Sequence, residues 1–503
     1  MAGFGYGPWR PDTTDLNSSF CSEALNCLPG TVGWNPFPSL SAISEALGAT
    51  CRGAFVARTS TGSAKVYAGT AAGLFFYAGL GSGFTDATRL AGGAYTLPTN
   101  EYWSFDQFDD DVIAVQAGDV PQTIDVDSGT NFAALGGSPP TARYVKAVGD
   151  FLFLLDLTSA TGAIPPSSGR IQAAWSAMRD PAFWTFGQRS SDTATFSAGG
   201  HVMGMTSPQT GLLVQQNAVN RFQRVTDRRV WDFATIEGAQ GSKSPYSLIE
   251  HQGILIYYGV DGFVASSAGA FTDEAGVEWV DEWFKDNCNQ ARLGNIIGAR
   301  DPTRPRFWWL FPTTNNASSL FLDHIIGFDK KLQRWFHGEA DASFIFTAAT
   351  PGVTLENLGS AGLGYTLETV PFSLDSPIWQ GGTPQVGAFD SAQKMGFFTG
   401  SALEPLLRTG RLELIPGSRS YVNGYRPLTD AATAAGRIAT AETPQATLAY
   451  PAASTTVNEW GVIEQEVSGR YMLFETTIPA GVDWTNVQGG SFDDDAVKPD
   501  GRA

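Results

Sequence analysis

Along most of the chain the apolar residues fall in short runs, some alternating with polar residues and some apolar throughout, and many runs end at or near Gly, Pro, Asp, Asn, Ser or Thr. Period-two alternation and short apolar runs bounded by turn formers predict β-strands, and strands joined by tight turns predict antiparallel meanders. The densest example lies between Val277 and Trp335. There VEWVDEWFKDN sets Trp279 against Trp283 and Val280 against Phe284, pairs four apart that share one face of a short helix. Arg300-Asp301-Pro302-Thr303-Arg304-Pro305 ends any helix, because its prolines lack a backbone donor and bias the residues before them to extended conformations. Strands are predicted at Arg306–Phe311, across 319–328 and from Gln333 to Phe336, with Asp329-Lys330-Lys331 as the second turn.

Looser versions of this unit precede it. Predicted strands run over Arg52–Arg58, Lys65–Gly69 and Leu74–Tyr77. Others run over Glu101–Phe108, Asp111–Gln116 and Gln122–Val126, with Asp109-Asp110 as a turn. A third unit takes Tyr144–Val148, Phe151–Leu157 and Arg170–Trp175. A fourth takes Gly211–Gln215 and Ala218–Gln223, and a fifth spans Ser247–Ser267 with turns at Gly253 and Asp261-Gly262. Six units about 40 to 50 residues apart are what β-propeller blades require. The expectation is therefore an all-β chain: an extended N-terminal arm over residues 1–50, a β-propeller of about six to eight blades over 51–345, and a smaller β-rich part over 346–503. That last part is either further blades or a packed sandwich, with strands across 371–408, 412–416 and 470–478 and an exposed tail from Asp493 onward.

Composition sharpens this picture. Charged residues are 16%, with 57 Gly and 28 Pro, which suits short strands and many turns. The net charge of −18 argues against a protein whose main task is gripping a nucleic-acid backbone. No apolar run approaches the roughly 18 residues that span a bilayer, and the first residues lack the apolar core of a signal peptide, which argues against unassisted secretion. Cys21, Cys27, Cys51 and Cys288 form no CxxC pair and read as buried thiols, with a Cys21–Cys27 disulfide as the alternative.

Candidate chemistry is sparse. His201, His251, His324 and His337 lie outside any GxSxG, HExxH or Cys/His metal spacing, so no catalytic, cofactor or metal residue is expected. Carboxylates such as Asp109 and Asp111 fit a turn as well as a glycosidase pair. The one basic run is Arg221, Arg224, Arg228 and Arg229, read either as a DNA contact or, preferably in so acidic a chain, as salt bridges. Trp279, Trp283 and Phe284 are candidate interface residues, within the chain or between copies.

The run NQARLGNIIGARDPTRPRFWWLFP followed by HIIGFDKKLQRWF resembles the propeller proteins of short-tailed bacteriophage tails, called nozzle, hub or packaged-DNA stabilisation proteins. GPWRPDTTDLNSSFCSEALNCLPGTVGWNPFPSLSAIS is similar to that family's arm, WSAMRDPAFWTF and YYGVDGFVASSAG to its blade motifs. SLDSPIW, GAFDSAQKMGFFTG and SGRYMLFETTIPAG are similar to the C-terminal region of one phage subgroup. The resemblance implies a non-enzymatic virion protein, made in the host cytoplasm and sited in the tail, in a homo-hexameric ring below the portal and adaptor (head-to-tail connector) proteins. It further implies retention of packaged double-stranded DNA, its ejection through the channel without specific binding, attachment of tail fibres or spikes in some relatives, and no membrane. The alternatives are a carbohydrate-binding or glycan-cleaving propeller and a fibre-attachment adaptor of the virion.

Overall fold

The computed structural model describes residues 3–77, 79, 83–158, 166–226, 229–267, 273–274, 276, 279–318, 320–350, 382–454, 458–493 and 495–500. Strands dominate, and most belong to four-stranded antiparallel meanders. Blade 1 runs Ala54–Arg58, Ala64–Gly69, Leu74–Tyr77, Thr85–Asp86, and blade 2 runs Ser104–Phe108, Asp111–Val115, Gln122–Asp125, Ala133–Ala134. Blade 3 runs Ala142–Val148, Phe151–Leu157, Gln172–Trp175, Asp192–Thr195. Blade 4 runs Val202–Met205, Thr210–Gln215, Val219–Arg224, Trp231–Ile236. Blade 5 runs Ile249–His251, Ile254–Tyr258, Phe263–Ser267, Asp273–Glu274, and blade 6 runs Ile297–Arg300, Arg306–Phe311, Leu322–Asp329 and the first part of Arg334–Ala349.

The last of these strands belongs to two sheets. Its first part pairs with Leu322–Asp329, and after a bulge its second part pairs with Pro384–Asp390. That strand pairs with Lys394–Ala402, which pairs in turn with Pro38–Ala46 from the N-terminal segment. The second part of Arg334–Ala349 also lies against the innermost strands of blade 6 and blade 1, and Thr347 Oγ1 donates to the Arg300 carbonyl at 2.9 Å. The protein is thus an all-β propeller with seven four-stranded blades among the described residues. Its ring is closed by Pro38–Ala46, which forms the outermost strand of blade 7 just before the chain enters blade 1.

The second strand of a blade is sandwiched by its neighbours, so it is apolar on both faces. Phe151–Leu157 and Arg306–Phe311 are buried throughout, whereas the outermost pairs Thr85–Asp86 and Ala133–Ala134 are exposed. The four junctions from blade 1 to blade 5 have separate cores, while blades 5, 6, 7 and 1 share one core with the sandwich. Tyr67, Trp103 and Val112 fill the core between blades 1 and 2, Ile113, Leu152 and Leu154 that between 2 and 3, Phe153, Leu213 and Phe222 that between 3 and 4, and Val214, Leu255 and Tyr257 that between 4 and 5. Trp308 meets Phe398 at 5.2 Å between blades 6 and 7, and Phe84 meets Phe389 at 5.7 Å between 1 and 7.

The remaining strands form a β-sandwich. One layer extends blade 6 through Cys21–Leu25, Leu406–Thr409, Tyr471–Thr477 and Ala435–Ala441. The other contains Cys27–Pro29, Trp34–Pro36, Val487–Ser491, Ser420–Thr429 and Ile463–Gly469, with Gly3–Gly5 and Val497–Pro499 at its margins. Phe4 stacks on Phe474 at 4.3 Å, and the Tyr6 hydroxyl donates to Thr476 Oγ1 at 2.7 Å across the layers.

Three expectations are corrected. Residues 1–50 are not a separate arm: Gly3–Pro36 supplies sandwich strands in both layers and Pro38–Ala46 closes the ring, because both a ring and a sandwich need partners for their last edges. The propeller does not end at 345, since blade 7 reaches Ala402; the interval between its first two strands, residues 350–383, hides the repeat. Val497–Pro499 is not a loose tail, for it pairs with Ser420–Val422. The segment 412–416 forms only a single bridge, Leu412 with Met472, and the strand expected over 371–381 lies outside the described residues. All four cysteines are buried and free, Cys21 and Cys27 included.

Candidate functional site

The inner strands of all blades run the same way, and at the end where they begin the axis is filled by side chains. Tyr102 enters from just before blade 2 and Tyr246 from just before blade 5, on the far side of the ring. The Tyr246 hydroxyl donates to the Tyr102 carbonyl and accepts from its amide, both at 3.2 Å, and the rings lie 4.9 Å apart edge to face. Tyr144 of blade 3 and Phe344 of blade 7 pack on this pair, and Asn295 before blade 6 donates to the Tyr102 hydroxyl at 3.1 Å. Burial pushes the Tyr102, Tyr144 and Tyr246 phenols up, so all three stay neutral donors at physiological pH.

Ions around the plug are matched. The Arg52 guanidinium donates to the carbonyls of Pro98 and Glu101 at 2.6 and 2.5 Å. Arg143 joins Glu101 to the fully buried Asp156, which also pairs with Arg170 at 3.0 Å. Asp156 holds a left-handed φ of +52°, a conformation its packing between two arginines maintains. Desolvation and the Arg170 charge lower the His201 pKa, so that imidazole is neutral. This end of the axis is a stopper with no spare nucleophile beside a base among the described residues.

The predicted interface residues meet the N-terminal segment. The helix covers Asp281–Asn287, so Trp279 and Val280 precede it, while Val277 and Glu278 lie outside the described residues. Its N-cap, Val280, cannot cap. Asp12 does so from the far end of the chain, accepting from the Glu282 and Trp283 amides at 2.9 and 2.8 Å. Arg10 lies over the Trp279 ring at 4.0 Å, and Trp283 meets the Trp9 ring at 4.8 Å. Phe284 is fully buried against Tyr258, Phe263 and Phe311. All three therefore anchor contacts within one copy, with Trp279 and Trp283 remaining half-buried.

Beside them lies a chain of hydrogen bonds whose parts are far apart in sequence. His324 Nε2 is 3.0 Å from His337 Nδ1, and His337 Nε2 donates to Glu23 Oε1 at 2.6 Å. Desolvation, with the neighbouring His337 second, pushes the His324 pKa down to about 3. Burial alone would raise the Glu23 carboxyl, but the charge and hydrogen bond of His337 and the charge of Arg408 hold it below the usual range. Trp9 stacks on His337 at 4.1 Å, sealing the relay from above. The group ties the N-terminal segment, blade 6 and the sandwich together, since Arg408 sits on the strand paired with Cys21–Leu25.

The basic run on blade 4 is dispersed. Arg224 reaches Asp150 at 3.7 Å and covers Phe151, Arg229 reaches Asp232 at 4.0 Å, Arg221 is exposed, and Arg228 lies outside the described residues. Nearby, the outer strands of blades 3 and 4 frame an open groove of about 460 Å³ lined by Trp175, Asp192, Asn220, Arg229 and Phe233. A second basic group is not evident along the chain: the turns RDPTRP and DKK bring Arg300, Arg304, Lys330 and Lys331 into one cleft of about 640 Å³ with His251. Their separation in sequence hides it; the signal is that each turn carries more cations than carboxylates.

No protein-family model matches the chain, and no curated protein sequence matches it. Among solved structures, the extracellular domain of BT4673 from B. thetaiotaomicron is similar at 10% identity and a TM-score of 0.43, over 78% of this chain, which spans 43% of that one. The N-terminal domain of Nup159 is similar at 7% identity and 0.35, covering 78% of this chain and 98% of that chain. Dihydro-heme d1 dehydrogenase NirN in complex with DHE is similar at 10% and 0.33, covering 86% and 80%. At such identities and scores these likenesses carry no functional argument.

Proposed function

We propose that the protein is a structural part of a short-tailed bacteriophage virion, the nozzle or hub that forms the lower tail channel as a ring of six copies below the portal and adaptor, retains packaged DNA and lets it out on infection. The observation that carries this reading is the likeness of NQARLGNIIGARDPTRPRFWWLFP and HIIGFDKKLQRWF, the strands and turns of blade 6, to the tail propellers of such phages. The blocked axis constrains it in one respect. A duplex whose major groove alone is about 12 Å wide cannot thread past Tyr102 and Tyr246, so its passage must be built between copies. The net charge of −18 gives such a channel a repulsive character over most of its surface, which favours movement over adhesion. Tail fibres or spikes would attach on the outer side of the ring.

Electron microscopy of the purified protein, alone and mixed with portal and adaptor, tests the reading. A ring seated beneath the adaptor is expected; a monomer that ignores both overturns it. A second reading, a glycan-binding or glycan-cleaving propeller, draws on the groove between blades 3 and 4, where Trp175 and Phe233 lie beside Asn220 and Asp192. Binding or hydrolysis of oligosaccharides lost in Trp175→Ala would favour it.

A further inference from the structure

We propose that the cleft between blades 5 and 6 is a binding site for phosphate-type oxyanions, held by Arg300, Arg304, Lys330 and Lys331. Three hairpin turns on the face opposite the tyrosine plug build it: Gln252-Gly253 of blade 5, and Asp301–Pro305 and Lys330–Gln333 of blade 6. Its floor is rigid. Arg306 and Asp329 form a buried ion pair at 2.7 Å between adjacent strands. The Lys330 amide donates to the Pro305 carbonyl at 2.9 Å, which ties the two blade 6 turns to each other.

The carboxylates of both turns hydrogen-bond within the turns, and Asp301 also lines the cleft. Asp301 Oδ1 accepts from the Thr303 amide and hydroxyl and from the Arg304 amide, and Asp329 Oδ1 accepts from the Lys331 and Leu332 amides while its other oxygen takes Arg306. The four cations are left facing the cleft, and among the described residues none of them lies within ion-pair distance of a carboxylate. Four cations against the one lining carboxylate, Asp301, leave an excess of positive charge in the cleft that an anion would offset. Fork-shaped guanidinium groups and lysine ammoniums together suit phosphate oxygens.

His251 adds a neutral donor. Arg300 Nη1 is 3.4 Å from its Nδ1, and because a guanidinium only donates, Nδ1 accepts and the proton sits on Nε2. Desolvation, then the charges of Arg300 and Lys330, lower its pKa, so the imidazole senses the field of the cleft. The anion is carried either by a DNA backbone or by free phosphate, and the site stands whether or not the protein forms a tail channel.

The test uses the full chain labelled at its four histidines, whose ring signals are assigned with a His251→Gln variant. Inorganic phosphate and a short DNA duplex are titrated in separate arms. A rise in the His251 titration midpoint with either one supports the proposal: a response to both marks backbone phosphate as a ligand, and a response to phosphate alone marks a free-anion site. In Arg304→Gln/Lys331→Gln, both positions exposed, binding should weaken more than about tenfold, and the dependence of DNA affinity on salt should flatten by about two phosphate contacts. Arg221→Gln on blade 4 should change neither. An unmoved His251 in both arms overturns the proposal, as does unchanged binding by the double variant. Loss of self-association in that variant without any phosphate response would also overturn it, assigning the cleft to acidic side chains of a second copy instead. Portal and adaptor take no part in these measurements, so failure here is distinct from failure of the tail reading.

Discussion

Blades 2 to 5 and the pair formed by blade 7 and the sandwich solve the same problem in opposite ways. Each of blades 2 to 5 is one continuous stretch of chain whose strands pair with their neighbours in sequence. Blade 7 takes in Pro38–Ala46, and the sandwich interleaves strands from Gly3–Pro36 with strands from Leu406–Pro499. Local meanders offset their ordering entropy at once, whereas the non-local parts require long loops to close first. The difference teaches that the blades can form early and singly, while the ring and the sandwich depend on the two ends of the chain meeting.

Truncation is the strongest way to break this comparison. Removing residues 1–36 should leave the propeller folded and cost the sandwich its strands in both layers, so limited proteolysis should yield a protected fragment ending near Ala402. Removing residues 1–47 also takes the closing strand, and the cooperative thermal transition of the propeller should then be lost. A propeller that melts unchanged without Pro38–Ala46 would show that closure is dispensable.

Smaller changes sharpen it. Arg306→Leu strands Asp329 as a buried unpaired carboxylate and should cost about 3–5 kcal/mol in denaturant unfolding, the largest effect of a single substitution in blade 6. The His324–His337–Glu23 chain should make the junction of blade and sandwich acid-sensitive. His324 has a folded pKa of about 3, below that of an unfolded histidine, so the unfolded chain binds the extra proton and stability falls as pH drops from about 6.5 toward 3. The depressed Glu23 carboxyl acts in the same direction at the lower end of that range. A slope of about 1 kcal/mol per pH unit is expected between about pH 4 and 6, flattened in His324→Gln. Asp12→Ala should cost only about 1 kcal/mol, read as faster amide exchange at Glu282 and Trp283, since it removes a cap and leaves the packing of Phe284 intact.

Much of the local architecture was legible along the chain. Leu74–Tyr77, Phe151–Leu157 and Arg306–Phe311 have the predicted bounds, because an apolar run closed by turn formers has few other places to go. Pro38–Ala46 was not legible: PSLSAISEA has one solvent-facing edge and a weak apolar pattern, and its partner lies at Lys394–Ala402. Ala435–Ala441 was hidden for a related reason. Its small residues let the layers approach closely, with the Tyr425 hydroxyl lying where a Cβ on Gly436 would sit, so its hydrophobicity is low although most of it is buried.

The candidate sites divide the same way. Spacing alone marked a short helix, which in the structure carries Trp283 and Phe284 with Trp279 just before it, yet the contacts of Trp279 and Trp283 with Trp9, Arg10 and Asp12 arise only when the N-terminal segment docks. By itself the sequence determined strand positions, turns, the all-β class and the acidic balance, since these follow from neighbouring residues and from composition. Tertiary structure alone decided the seventh blade, the interleaved sandwich, the tyrosine plug and the four-cation cleft. Each of those joins residues far apart in the chain or on separate turns, and such pairings are selected by the geometry of ring closure and burial rather than by any local preference.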